Sequence, residues 1–212
     1  MDRKTSSIIV LFLFIGYFLI LFLLSETSNY YEETNYSAQE VSTILREAKT
    51  FKVEKNYESL LKNDYNIIVN EEIVATVTGE YIKLFGDVFT LRSSNGELML
   101  YESEEILHLN NQAGVYNPNN EEIGRIESSY INLLYESHFY KNGQKIATCQ
   151  EHLDIPREDT IRDSYGNLLY TISQEDVVAS FYEVNVINNK VISPEIAIFF
   201  GCINDAIATS SD

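Results

Sequence analysis

Tryptophan is absent, cysteine occurs twice, and 15 Lys and Arg stand against 32 Asp and Glu, leaving a formal net charge of −17. Each shortage excludes something. The excess of acid opposes binding to nucleic acid and to anionic lipid headgroups, because both are held chiefly by Lys and Arg. No basic patch offsets it, since Arg3 and Lys4 lie at the N-terminus and the remaining basic residues are scattered among acids. Cys149 and Cys202 share no metal-ligand spacing and are expected as two buried thiols. A disulfide between them needs an oxidising compartment and Cα atoms within about 7 Å. No phosphate loop, G-x-S-x-G elbow, H-E-x-x-H pair or recognisable Cys/His arrangement occurs. The chain is therefore not expected to be an enzyme. No catalytic, cofactor-binding or metal residue is assigned, and no cofactor is expected.

Several polar groups are candidate ligands. Glu136 and His138 share one strand face and with His152 form a conceivable metal set; ordinary surface residues are the simpler reading, and for His108 as well. Glu102, Glu104 and Glu105, and likewise Glu151, Asp154, Glu158 and Asp159, lack the spacing of a calcium loop and are expected as solvated charge. Asp87, in Leu84-Phe85-Gly86-Asp87, is expected to bond its own backbone.

The chain does contain long apolar runs. Residues 8–24 carry no charge, follow Arg3 and Lys4 and precede Glu26, Glu32 and Glu33. That pattern predicts an uncleaved transmembrane anchor over 8–24. Residues 1–7 are then cytoplasmic and everything after Leu24 lies on the outer side of a cell membrane crossed once. A cleaved signal peptide is the alternative, but no A-x-A site follows Leu24. Residues 25–36 are polar and aperiodic and predict a tether, with Tyr30, Tyr31 and Tyr36 as candidate interfacial aromatics. Ser37-Ala38-Gln39-Glu40 is a capping box, and Val41, Ile44, Leu45 and Ala48 then recur at helical spacing, so an amphipathic helix over 37–49 is expected to dock on its own domain.

The second run, residues 194–208, organises everything before it. Ser193 suits an N-cap, Pro194 the first helical position and Glu195 the positive end of the dipole. The helix is apolar on nearly every side until Asn204-Asp205, the mark of a helix enclosed by protein. Ahead of it lie six turn-like clusters flanked by alternating apolar residues: Asn70-Glu71-Glu72, Ser94-Asn95-Gly96, Asn117-Pro118-Asn119-Asn120, Lys141-Asn142-Gly143, Asp163-Ser164-Tyr165-Gly166 and Asn188-Asn189-Lys190. Six hairpins predict about twelve strands, enough to close a barrel around a helix. The strands leaving Glu71, Glu121 and Gly166 look alike at a spacing of roughly 45 to 50 residues, which shared hairpin chemistry explains as well as duplication does. The predicted fold is thus mainly β: a closed antiparallel barrel of roughly twelve strands over 51–208, enclosing the helix 194–208. A tail over 209–212 follows.

Leu84-Phe85-Gly86-Asp87-Val88-Phe89-Thr90-Leu91-Arg92-Ser93-Ser94-Asn95-Gly96-Glu97-Leu98 resembles the phrase S-L-G-D-x-F-x-I-x-D-x-N-G-x-x-[VL] of the LURP-one-related proteins. Those proteins belong to the tubby C-terminal-like superfamily, together with the phospholipid scramblases. Tyr170-Thr171-Ile172-Ser173 is similar to that family's A-x-I-S strand, Phe181 to Val186 to its D-x-Y-x-[IV]-x-I strand, and Asp205 to the acid that closes its terminal helix. The resemblance covers about residues 51–208 and implies a twelve-stranded barrel around a central C-terminal helix. It also implies phosphoinositide binding through basic residues, or calcium-linked lipid movement through an acidic loop. This chain has acids where a basic patch is needed, and Ile187 to Ile192 carry no carboxylate. The expected function is a membrane-anchored, non-enzymatic binding or scaffold module with a protein partner at the barrel rim or outer wall. Scramblase-like lipid movement or lipid binding is the alternative.

Overall fold

A computed structural model describes residues 32–56, 62–80, 89–104, 112–131, 134–150, 157–174 and 181–210. The anchor predicted over 8–24 lies outside the described residues, and so do residues 1–7, most of the tether and the end of the tail.

Thirteen strands and two helices make up the described chain. The strands are β1 (Glu32–Glu33), β2 (Thr50–Asn56), β3 (Lys62–Val69), β4 (Glu72–Glu80), β5 (Phe89–Ser93), β6 (Leu98–Glu104), β7 (Gln112–Tyr116), β8 (Glu122–Ile131), β9 (Leu134–Lys141), β10 (Gln144–Gln150), β11 (Arg157–Asp163), β12 (Leu168–Gln174) and β13 (Phe181–Val186). The helices are α1 (Ala38–Glu47) and α2 (Pro194–Ser210). β2 to β13 form one antiparallel sheet that closes on itself through β4 and β5, with β13 beside β2. That is the expected twelve-strand barrel.

Its wall sorts by strand alternation. Phe51 and Val53, Tyr65 and Ile67, Ala75 and Val77, Leu91, Val115, Ile126, Phe139, Ala147 and Cys149, Ile161, Ile172 and Val184 point inward and are all at most 4% exposed. The intervening positions, such as Thr76, Arg92, Arg125, His138, Thr148, Thr160 and Thr171, face out. A barrel apolar within and polar without is the inverse of one embedded in lipid. The interior holds α2: from Pro194 to Cys202 every residue is buried, with Ala197, Ile198, Phe199, Phe200 and Cys202 fully so. Phe200 meets Phe139 of the wall edge to face, at 6.5 Å between centroids. The fit is close enough at Gly201 that a Cβ there would lie 2.7 Å from the Tyr182 ring.

Five of the six turn clusters are hairpins, all at the rim where α2 enters. Asn70-Glu71 and Asn142-Gly143 are two-residue turns in which both residues have positive φ, 52° and 69° in the first and 52° and 73° in the second. The other three are alike: Gly96, Asn120 and Gly166 take the left-handed position at φ 89°, 62° and 85°. The turn closes each time by a bond from their N–H to the carbonyl of Ser93, Asn117 or Asp163, at 2.8, 3.0 and 3.0 Å. The sixth cluster corrects the expectation. Asn188-Asn189-Lys190 joins β13 to α2, because Asn188 Oδ1 accepts from the Lys190 N–H and Pro194 then starts the helix.

Every one of the five hairpins is followed by a β-bulge, at Val74, Met99, Ile123, Ile146 and Leu169. A bulge puts one residue extra into a strand and bends it. The consequence here is two successive apolar side chains at the rim in four of the five strands, Val74-Ala75, Met99-Leu100, Ile146-Ala147 and Leu169-Tyr170, while in β8 Ile123 is followed by Gly124.

Two turn types, each with its bulge, recur in the same order and divide the barrel into two six-strand halves, the third hairpin at Asn117–Asn120 having its counterpart where β13 leads into α2. β3 to β7 correspond to β9 to β13, and β8 to β2. Asn70 matches Asn142 and Gly96 matches Gly166, with Ala75-Thr76 matching Ala147-Thr148 and Thr90-Leu91-Arg92 matching Thr160-Ile161-Arg162. Their registers agree as well, Ala75↔Ser93 against Ala147↔Asp163. The internal repeat is therefore about half the barrel and longer than the spacing read from the sequence.

Two stability measurements follow from this packing. Truncating Phe200 to Ala should cost about 3–5 kcal/mol, read from the denaturant midpoint at unchanged slope. Glu71→Gly should stabilise by about 0.5–1 kcal/mol, because Glu71 is a side-chain-bearing residue at positive φ where the matching turn carries Gly143. An unchanged or lowered midpoint for Glu71→Gly contradicts the turn assignment.

Candidate functional site: the rim and its seam

The rim is built from the turns above, from α1 and from the segment that precedes it. Ser37 caps α1 in both directions, its Oγ accepting from the Glu40 N–H while Glu40 Oε2 accepts from the Ser37 N–H at 2.8 Å. The buried face of α1 is Val41 and Leu45, both fully buried in the same core as α2. As expected, the amphipathic helix docks on its own domain. Polar contacts fix it there: Ser42 donates to Glu195 Oε1 at 2.8 Å, Asn189 Nδ2 donates to the Arg46 carbonyl at 2.8 Å, and the Ala38 N–H donates to Glu97 Oε2 at 2.8 Å. Glu195 is only 6% exposed, and its position in the first turn of α2 places its carboxylate at the positive end of the helix. Tyr170 donates to the Ile192 carbonyl at 2.9 Å, and burial, with Glu195 nearby, pushes its hydroxyl well above the usual tyrosine range.

Residues 32–36, predicted as the end of a tether, are instead paired onto the edge of the barrel. β5 reaches along β4 only as far as Ala75, leaving the edge of Glu72 and Ile73 open, and β1 fills it in parallel with Glu32↔Glu72 and Glu33↔Ile73. Thr34 Oγ1 lies 2.6 Å from the Ile73 carbonyl and 2.9 Å from Ser94 Oγ. The Tyr36 N–H donates to Ser94 Oγ at 2.8 Å, and the Asn95 N–H donates to the Tyr36 carbonyl at 3.2 Å. Tyr36 also donates its hydroxyl to Glu72 Oε2 at 2.8 Å, a bond that raises the phenol pKa. Tyr36 is thus pinned to the wall rather than left for a membrane interface, while Tyr30 and Tyr31 lie outside the described residues.

The remaining candidate ligands separate. Glu136 and His138 do share the outer face, with Glu136 Oε2 at 3.6 Å from His138 Nε2 and Thr148 Oγ1 at 3.1 Å from His138 Nδ1. His108 and His152 lie outside the described residues, as do Asp87, Glu105, Glu151 and Asp154. Among the described residues no group of three or more His, Cys, Asp and Glu is placed to hold a metal. The expectation of solvated acids fails at two positions: Glu102 is 2% and Asp159 is 1% exposed. The cause is register, since Glu102 stands opposite Val115 and Asp159 opposite Ile172, both inward. Glu158, one residue earlier, is exposed. Cys149 and Cys202 are both fully buried thiols, and Cys202 Sγ lies 3.3 Å from the Tyr182 hydroxyl.

No protein-family model, curated protein or solved structure matches this chain.

His138 supplies a pH test. Partial burial lowers its pKa from 6.5, Lys145 lowers it further, and Glu136 and Glu127 oppose both. Below pH 6.5 the unfolded chain therefore binds a proton before the folded one does. Stability contributed by neutral His138 should fall as pH drops from about 6.5 to the depressed folded value, then level off. Replacing His138 with Gln should flatten that part of a melting-temperature profile. An equal slope in both proteins removes the assignment.

Proposed function

We propose that this chain is a membrane-anchored barrel of the tubby-like, LURP-one-related kind that acts by binding, without chemistry of its own. It stands at the outer face of a cell membrane, held by residues 8–24, and meets a protein partner at its rim or outer wall. The observation that carries this reading is the occupied interior. Over Pro194–Cys202 the space where a small barrel would hold a ligand is filled by Ile198, Phe199 and Phe200. A partner therefore has the rim turns and the polar wall to work with. The closed barrel of twelve strands and the enclosed C-terminal helix accord with what the family resemblance implies, and the acidic balance of the whole chain disfavours anionic lipid as the ligand.

Among the described residues no helix is long and apolar enough to cross a membrane, so the anchor rests on the charge pattern around residues 8–24.

The test is photo-crosslinking of the full chain in its native membrane. A photoreactive residue at Asn119, Asn142 or Tyr165 on the rim should give discrete protein adducts, and one at buried Val77 should give none. Absence of protein adducts from every rim and wall position, together with faster exchange of labelled lipid in vesicles carrying the purified chain, contradicts the proposal.

A further inference from the structure

The two halves of the barrel are matched in register but not in occupancy. In the first half the edge of Glu72-Ile73 is covered by the chain's own residues 32–36, and Ile73 and Ser94 are half-buried beneath them. In the second half the matching edge is Gln144-Lys145. The β10–β11 ladder begins only at Ala147↔Asp163, and the Ser164 N–H donates to the Ile146 carbonyl at 3.1 Å as the Ser94 N–H does to the Val74 carbonyl at 2.9 Å. Beyond that point no described strand lies beside β10 on the side away from β9. Gly143, Gln144, Lys145, Ser164 and Gly166 are all exposed, and Tyr165 is 90% exposed, the most exposed of the large hydrophobic residues described.

We infer that this notch is a second strand-addition site, and that it takes an acidic extended segment of a partner protein. The inference rests on the binding-module reading and supplies the chemistry of the partner. Gln144 and Lys141, which flank a two-residue turn, face each other across β9 and β10, so the N–H and C=O of Lys145 point away from β9 toward the vacant side. Its carbonyl is the counterpart of the Ile73 carbonyl that accepts from Thr34, and the Gly143 carbonyl is the counterpart of the Glu71 carbonyl that accepts from the Glu32 N–H at 3.3 Å. Ser164 is the counterpart of Ser94, whose Oγ receives Thr34 and the Tyr36 N–H. One contact does not carry over: the Tyr165 N–H, counterpart of the Asn95 N–H, is already bonded to Asp163 Oδ1 at 2.9 Å.

Charge decides the kind of segment. The occupied edge presents Glu71 and Glu72 to an acidic strand, an unfavourable pairing tolerated because the segment is tethered. The open edge presents Lys145, with Arg162 on the neighbouring strand β11 and Lys141 one strand behind it on β9, in a chain that has only 15 basic residues. Arg162 keeps one bond of its own, to the Gly166 carbonyl at 3.1 Å. A free acidic strand would find complementary charge at this notch. Main-chain pairing along an exposed edge then supplies affinity, and the Lys residues supply selection.

The probe is a fluorescent, end-blocked peptide of the sequence Tyr-Tyr-Glu-Glu-Thr-Asn-Tyr-Ser, titrated into the full-length protein at low salt. Saturable binding that weakens with added salt is expected, with new amide-exchange protection at residues 144–146. Lys145→Glu should weaken binding at least tenfold at an unchanged melting temperature, and a peptide carrying Lys in place of both Glu should not bind. No saturation at millimolar peptide overturns the inference, and so does binding that Lys145→Glu leaves intact, or protection that appears at residues 72–74 instead. If rim crosslinking captures a protein partner and Lys145→Glu does not reduce that capture, the notch assignment fails while the binding-module reading stands.

Discussion

Burial of α2 is the constraint on which the rest depends. A helix apolar on nearly every side has no stable position in water, and each Ile or Phe removed from solvent contributes about 1.5–3 kcal/mol. Only a surrounding wall can bury all its sides at once, and an antiparallel sheet does so only by closing. The inward alternation of the wall, the small residues Ala75, Ala147 and Gly124 between large ones, and the bulges that crowd apolar side chains at the rim all follow from that requirement. Closure also removes sheet edges, except where strands differ in length. Such uneven ends at the rim, those of Glu72-Ile73 and Gln144-Lys145 among them, are then places where main-chain groups can take a further strand.

The rim therefore joins stability to recognition. Along one half the chain seals its own edge with residues 32–36 and then lays α1 across the same end, tied to α2 through Ser42 and Glu195. Ser94 serves both purposes, closing its own turn region and receiving the incoming segment. The matching half keeps the same turn geometry without a cover. Its side chains differ there, with exposed Lys145 in place of half-buried Ile73 and Tyr165 in place of Asn95.

Much of this architecture was legible in the sequence. Strand alternation, Asn-Gly turns and the all-round apolarity of residues 194–208 predict a barrel around a helix, and the capping box at Ser37 predicts the docked helix. What escaped has specific causes. Bulges shift the alternation by one residue just after each turn, so Val74, Met99 and Leu169 look out of phase. Strand phase also hides Glu102 and Asp159, whose carboxylates read as surface charge until register places them opposite Val115 and Ile172. The polar composition of Glu32 to Tyr36 resembles a tether, because hydrogen bonding to an edge 39 residues away, as Thr34 makes to Ile73, leaves no mark on local periodicity. The open notch was invisible for a related reason, since it exists only by comparison of two halves that have to be aligned in space.

The central claim concerns where the helix sits, and the two cysteines report on it directly. Cys202 lies on α2 inside the barrel and Cys149 on the wall facing it, and no other thiol competes for reagent. Thiol labelling of the full chain under native conditions should leave both unmodified, with labelling appearing only across the unfolding transition and at the same denaturant concentration for both. Rapid modification of Cys202 in the folded protein would place the helix outside the barrel and contradict the account.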